Sequence, residues 1–347
     1  MSIQPFQSLS RFEALFAEGL QGLLAEPGLG SYILVLANAS FDPVLFNELR
    51  PALQQRYQQL SEHCRLALSR GQTLPGSQDD QLVFLKLMAI GFDGVQPTCF
   101  RRQGPWELQF NHLRAFRPSR MTGEAVSGLY RPFDPQGFHF NKPFLRRERL
   151  WSGELLGEGV DLFYNKFPFV PLHGLLVPNR QDHLPQLLTR HYHEYVWSLV
   201  EALSTDLPGL GLGYNSYGAF ASVNHLHFQT FVRQTPLPIA AADWRHNGGD
   251  RPYPLNCEVY HSAETAWSRL QALHESEMRY NLIYQPGRLY CLPRKAQGSY
   301  DHEPWTSGFA WYEVAGGYTT FSREDFDQLD DQAIEAELGK LCLAGTQ

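Results

Sequence analysis

An α+β chain is the fold class that the sequence predicts, and three observations predict it. Apolar residues recur at helical spacing in several separate segments. Between them lie short apolar runs bounded by Pro, Gly and Asn. A loose internal echo suggests that one strand–turn–strand unit is used twice.

Taken in order, residues 51–68 carry Leu53, Tyr57, Leu60, Cys64 and Leu68 near helical spacing and predict a helix. Residues 71–80, with Pro75 and Gly76, predict a polar loop. From about residue 108 the texture changes to short apolar runs, and 162–164 and 175–177 predict strands. Residues 191–203 predict a helix with Tyr192, Tyr195 and Leu199 on one stripe, continued by Leu188. A Gly-rich stretch at 209–218 follows, then a strand at 223–232. Trp267, Leu270 and Leu273 predict a further helix, and 281–284 and 289–292 predict two strands joined around the turn pair Pro286-Gly287. A closing helix is expected, with Ser322 as N-cap, Glu324 and Asp325 in the first turn, and Ile334, Leu338 and Leu341 on one face. The echo sets Tyr164-Asn165 and Pro178 beside Tyr280-Asn281 and Pro293 at nearly the same spacing.

Composition narrows the function classes. A chain of 347 residues suits one large domain or two intimate ones. Its 43% hydrophobic and 13% aromatic content favours a packed core over disorder. The net charge of −7 and the lack of any Lys/Arg run exclude a general nucleic-acid binder, so a bound phosphate needs a local pocket. The five cysteines are odd in number and show no Cys-x-x-Cys spacing, against a disulfide framework or a thiolate zinc site. Residues 1–10 lack the basic and apolar regions of a secretory leader, and no apolar run approaches the ~20 residues that span a bilayer. A cytoplasmic protein with reduced thiols and no membrane partner is expected.

One segment carries chemistry. In Asn224-His225-Leu226-His227-Phe228-Gln229, strand alternation sets His225, His227 and Gln229 on one face and Leu226, Phe228, Thr230 and Val232 on the other. Three readings fit such a row. A neutral imidazole can attack phosphorus as a nucleophile, with Asn215, Gly218, Ser222 and their backbone N–H groups upstream as donors to phosphate oxygens. His-x-His can also ligate zinc, although Gln229 is a poor ligand and neither a His-x-x-x-His helix nor a thiolate pair completes the set. Or the pair is structural, as buried histidines often are. His183, His191 and His193 are expected on the surface, and Tyr214, Tyr217 and Phe220 in packing.

The string from Gly213 through Gln229, which includes Tyr214-Asn215-Ser216-Tyr217-Gly218, closely resembles the active-site segment of the GDP-hexose phosphorylases. These are the GDP-L-galactose and GDP-D-glucose enzymes of the histidine-triad superfamily, in its galactose-1-phosphate uridylyltransferase-like branch. Phe110-Asn111-His112-Leu113-Arg114, Arg131-Pro132-Phe133-Asp134, Phe138-His139-Phe140-Asn141-Lys142, Arg279-Tyr280-Asn281 and Leu292-Pro293-Arg294 resemble further blocks of that family. The resemblance covers roughly residues 105–343. A second resemblance, of Asn165-Lys166-Phe167-Pro168 through His173, is to the diadenosine tetraphosphate phosphorylases.

The resemblance implies two histidine-triad-like units in one chain around an antiparallel sheet. The expected division is a divergent, partly helical N-terminal region (1–104), a half that holds the histidine motif (105–240) and a second half without it (241–347). It implies a nucleotidyltransferase of phosphorylase type acting on a nucleoside-diphosphate sugar, with a phosphate acceptor and without metal or other cofactor. His227 would form a nucleotidyl-histidine, His225 would orient the loop, and Gln229 would favour transfer to phosphate over water. Asn215, Gly218 and Ser222 would hold phosphate oxygens. Asn165, Lys166, Phe167 and Pro168 would line base and ribose, and Lys142 and Arg114 would contact phosphate or acceptor. The alternatives are a dinucleoside polyphosphate phosphorylase or hydrolase, or a non-catalytic nucleotide sensor.

Overall fold

A computed structural model describes residues 5–117 and 128–343; residues 1–4, part of the stretch read above for a leader, lie outside it. The chain opens with α1 (Leu9–Leu24), α2 (Leu29–Phe41), α3 (Pro43–Ser69) and α4 (Gln78–Ile90). Next come β1 (Cys99–Gln103), β2 (Trp106–Phe110), α5 (His112–Phe116), β3 (Arg149–Leu155), β4 (Glu158–Tyr164) and β5 (Gly174–Pro178). Then follow α6 (Arg190–Leu203), β6 (Leu210–Asn215), β7 (Phe228–Val232), β8 (Glu258–Tyr260), α7 (Ala263–Glu275), β9 (Arg279–Gln285) and β10 (Arg288–Arg294). The last elements are α8 (Trp311–Val314), β11 (Gly317–Thr320), α9 (Arg323–Gln328) and α10 (Asp331–Gly339).

The expected α+β class is what the structure has. Eight strands form one antiparallel sheet in the order β3-β4-β5-β7-β6-β9-β10-β8. A smaller sheet, β1-β2-β11, pairs β11 parallel to β2. Alternation divides the large sheet into two apolar faces. Leu162, Leu176, Leu226, Phe228 and Val232 point to the face that α6 and α7 cover. Phe231, Ile283, Tyr290 and Leu292 point the other way, into a cluster with Trp311 and the small sheet. On that same face Phe163 and Val177 pack with Phe140 and Leu145. Helices α1–α4 enclose a further core that reaches the sheet through Tyr164. Among the described residues, no helix is long and apolar enough to cross a membrane.

Three sequence expectations are corrected, and a stretch to which the sequence assigned no element holds a strand. The first helix of 51–68 begins earlier, at Pro43, because the Asp42 carboxylate accepts from the Val44 and Leu45 N–H groups and Pro43 suits the first turn. Pro51 sits inside α3, carried by the buried stripe Phe46, Leu49, Leu53, Tyr57 and Leu60. The Gly-rich stretch contains a strand, β6, because its glycines make room for rings on the neighbouring layer. A Cβ at Gly211 would lie 2.3 Å from the Phe231 ring, and one at Gly213 2.2 Å from the Trp311 indole. The strand expected at 223–232 starts only at Phe228, so His225 and His227 lie in the approach to β7. The closing helix is two, α9 and α10, because Asp330 caps a new start with its side chain on the Ala333 N–H.

The echo also occupies unequal places. Tyr164-Asn165 ends β4, whereas Tyr280-Asn281 begins β9, and the two-residue Pro286-Gly287 turn matches the expectation for that hairpin.

Candidate active site

The approach to β7 is held by the segment before α6. The Leu226 N–H donates to the Leu184 carbonyl (2.8 Å), and the Gln186 N–H donates to Asn224 Oδ1 (3.0 Å). The buried Gln186 side chain then clamps the motif from both sides. Its Oε1 accepts from the His227 N–H at 2.9 Å, and its Nε2 donates to the Asn215 carbonyl at 3.0 Å and the His227 carbonyl at 3.2 Å.

These bonds leave His227 in one defined state. Its Nδ1–H donates to the His225 carbonyl at 2.8 Å, so the proton is on Nδ1 and the lone pair is on Nε2. No described residue bonds to Nε2, and it is not among the polar atoms sealed from solvent. Burial pushes the His227 pKa down to about 4, so the ring is neutral at pH 7. A neutral imidazole with a free Nε2 can act as a nucleophile.

His225 is bound the other way round. Its Nδ1 accepts from the Phe140 N–H at 3.2 Å, so its Nε2 carries the hydrogen, and that nitrogen is sealed and unpaired. Burial, with His227, His139 and His183 nearby, pushes its pKa down to about 3. The ring packs against Phe133 and Phe140, with centroids 5.2 and 5.5 Å away. Among the described residues, no group of three His, Cys, Asp or Glu side chains could hold a metal ion.

Gln229 and Asn215 present their amides in the same manner. Gln229 Oε1 accepts from the Trp311 indole N–H (2.9 Å) and from His173 Nε2 (3.0 Å). His173 Nδ1 accepts from the Phe169 N–H, so its Nε2 is the protonated nitrogen. Burial pushes the His173 pKa down to about 3, which keeps the ring neutral. Asn215 Oδ1 accepts from Asn281 Nδ2 (2.7 Å) and from the Trp311 backbone N–H (2.8 Å). Both carboxamide oxygens are thus occupied, and both NH2 groups remain as donors. Asn281 is held in turn by the buried Arg294, whose Nη1 donates to Asn281 Oδ1 at 3.1 Å.

The other expected site residues lie at different depths. Gly218 takes φ +82°, a turn that favours glycine, and its carbonyl accepts from the Gln297 N–H at 2.8 Å. Ser222 is exposed on the same loop. Asn165 Oδ1 accepts from the Phe167 N–H (3.1 Å), and its carbonyl accepts from Asn38 of α2 (3.0 Å). Lys166 is engaged by Asp80 of α4 at 2.5 Å, not by any group near His227. Phe167 leans on the α1–α4 core, and Pro168 is buried. Arg114 stacks over Phe169 (4.6 Å) and donates to the Phe167 carbonyl (3.0 Å), while its Nε has no partner. Burial lowers the Arg114 pKa to about 10, so it stays charged at pH 7.

Lys142 lines a cavity of about 290 Å³ with Arg146, Arg149 and Arg180. Phe140 forms the wall between that cavity and His227, 5.3 Å from the imidazole. His183 and His191 are exposed as expected, but His193 is fully buried, bonded to the Tyr284 hydroxyl (2.8 Å) and the Ala263 carbonyl (2.9 Å). A helix with seven buried side chains turns His193 inward, against the surface position expected. The sequence reading missed Gln186, Trp311 and Phe140 as supports. Nothing local marks the first two, whereas Phe140, like Asn281 and Arg294, stood in a block quoted for the resemblance.

The fold and this site define a protein with a His-x-His-x-Gln segment that leads into a strand of one large antiparallel sheet. Residues 106–231 match the family described as GDPGP1-like, N-terminal domain. The human GDP-D-glucose phosphorylase 1 is 30% identical over 236 residues, which is 66% of this chain and 51% of that protein. The Arabidopsis thaliana GDP-L-galactose phosphorylase 1 is 30% identical over 153 residues, 39% of this chain and 33% of its own. The chain spans about half the length of the human relative. The yeast Ap4A phosphorylase Apa2 overlays with a TM-score of 0.49 at 16% identity, covering 78% of this chain and 97% of that one. The chain therefore resembles the GDP-hexose phosphorylases, as its motif implied.

Proposed function

We propose that this chain is a phosphorylase-type nucleotidyltransferase that acts on a nucleoside-diphosphate sugar of the GDP-hexose class. The observation that carries this reading is the state of His227: neutral, with Nδ1–H held by the His225 carbonyl and Nε2 free. His227 Nε2 attacks the α-phosphorus, the bond to the bridging oxygen breaks, and the sugar phosphate leaves. An oxygen of inorganic phosphate then attacks the same phosphorus, and the P–N bond breaks to return His227. The Asn215 and Gln229 NH2 groups donate to phosphoryl oxygens as charge develops there. A neutral amide at Gln229 offers no acid or base to activate water, which favours phosphate as acceptor.

Gly218 and Ser222 supply further donors from the loop. Asn165, Phe167 and Pro168 line base and ribose, with Lys166 supporting that loop from behind. Lys142 and Arg114 serve the phosphates or the acceptor. The protein works in the cytoplasm, with residues 105–240 as the catalytic half, 241–347 as its supporting half and 1–104 as a cap.

The test is transfer of label from α-phosphate-labelled GDP-hexose to protein. Label is expected in the parent and absent in His227→Asn, and equal labelling of both refutes the nucleophile. Omitting phosphate separates the readings: a phosphorylase stalls after one turnover, whereas a hydrolase continues.

A further inference from the structure

The two amides that face the candidate site share one support. Trp311 opens α8, so its backbone N–H has no partner inside the helix and donates instead to Asn215 Oδ1 at 2.8 Å. The indole N–H of the same residue donates to Gln229 Oε1 at 2.9 Å. The ring is fully buried and stacks on Phe231, with centroids 5.1 Å apart and planes 12° from parallel. It can lie there because position 213 is glycine: a Cβ would sit 2.2 Å from the indole. Gly213 is the register partner of Gln229 across β6 and β7, so the space left by the missing side chain opens beside Gln229.

A carboxamide turned end for end exchanges a donor for an acceptor, and an oxygen in place of NH2 would repel a phosphoryl oxygen. We propose that Trp311 is a positioning residue which fixes the Asn215 and Gln229 amides with their NH2 groups toward the transferred phosphoryl group. It touches neither substrate nor reacting atoms and acts through those two side chains. His173 is the second donor on Gln229 and Asn281 the second on Asn215, but among the described residues only Trp311 donates to both. The inference deepens the nucleotidyl-transfer reading and rests on it for its kinetic arm.

The experiment replaces Trp311 with 3-benzothienylalanine, which keeps ring and backbone N–H but puts sulfur in place of the indole N–H. Trp311→Phe is made alongside. The single-turnover rate of label transfer to His227 is expected to fall roughly tenfold, the loss of one oriented hydrogen bond, while nucleotide affinity changes by less than about threefold. In a Gln229→Ala background the same replacement is expected to change the rate by less than about twofold, because its target is gone. An equal loss in both backgrounds, or none in the parent, overturns the inference.

A readout free of catalysis separates its failure from that of the proposed function. The Gln229 side-chain NH2 signal in 15N-glutamine-labelled protein, assigned through its loss in Gln229→Ala, is expected to shift and to exchange faster with solvent on the benzothienyl replacement. An unchanged signal overturns the inference even where label transfer is seen. Absence of label in the parent, with the signal shifted, refutes the proposed function and leaves the orientation role standing.

Discussion

Gln186→Met removes the clamp on His227 while keeping most of the apolar volume. The amide makes three bonds, to the His227 N–H, the His227 carbonyl and the Asn215 carbonyl. All three backbone groups belong to buried residues, so Met leaves them unpaired. At the lower end of about 1 kcal/mol for each buried unsatisfied group, the native state loses about 3 kcal/mol. Unfolding entropy of about 2.1 cal/mol/K per residue, over 347 residues, is roughly 0.7 kcal/mol/K, so the melting temperature is expected to fall by about 4 °C. The larger effect is on chemistry. A nucleophile displaced by about 1 Å loses on the order of a hundredfold in rate. Differential scanning calorimetry and rapid-quench labelling of His227 measure the two. A variant that melts within about 1 °C of the parent refutes the count of orphaned groups. One that melts lower yet labels at the parental rate shows that the clamp serves stability alone.

The depressed His227 pKa predicts a pH dependence with a definite sign. The folded ring resists protonation down to about 4, whereas an unfolded one takes a proton near 6.5. The unfolded state thus binds more protons between those values. This contribution to stability is full above about 6.5 and is lost as pH falls toward 4; His173 and His225, both depressed to about 3, act in the same sense. Label transfer is expected to hold its rate from pH 8 to about 5, and an acid limb near 6.5 would show an unperturbed nucleophile. Gly213→Ala is expected to displace the Trp311 indole, lowering both melting temperature and labelling rate, because its Cβ would lie 2.2 Å from that ring. Unchanged values in calorimetry and rapid quench would disprove the contact. Lys166→Met and Asp80→Asn each break the 2.5 Å pair between α4 and the 165–173 loop, and equal rises in nucleotide KM are expected from the two. A much larger rise for Lys166→Met would mean that Lys166 leaves Asp80 to contact the ligand itself.

Much of the fold was legible because its signals are local. The stripe of α6, the Pro286-Gly287 turn of β9 and β10, and the Ser322 cap of α9 each depend on residues a few positions apart, and each appears where expected. The failures have a common cause. The Gly-rich stretch carried no strand signal of its own because glycines count against a strand, yet Gly211 and Gly213 of β6 are needed for rings from Phe231 and Trp311. His193 read as a surface residue because its neighbours are polar, yet the stripe of α6 carries it toward Tyr284.

The motif His225-Leu226-His227-Phe228-Gln229 was legible in the sequence alone, as the candidate residues for the chemistry and their order. Their states were decided only in three dimensions. The proton of His227 is on Nδ1 because the approach to β7 bends its ring onto the His225 carbonyl. The Gln229 and Asn215 amides face one way because Trp311, some eighty residues further on, occupies both oxygens. A side chain's type is written in the chain, but its tautomer and orientation depend on donors and acceptors that only folding brings within hydrogen-bonding distance.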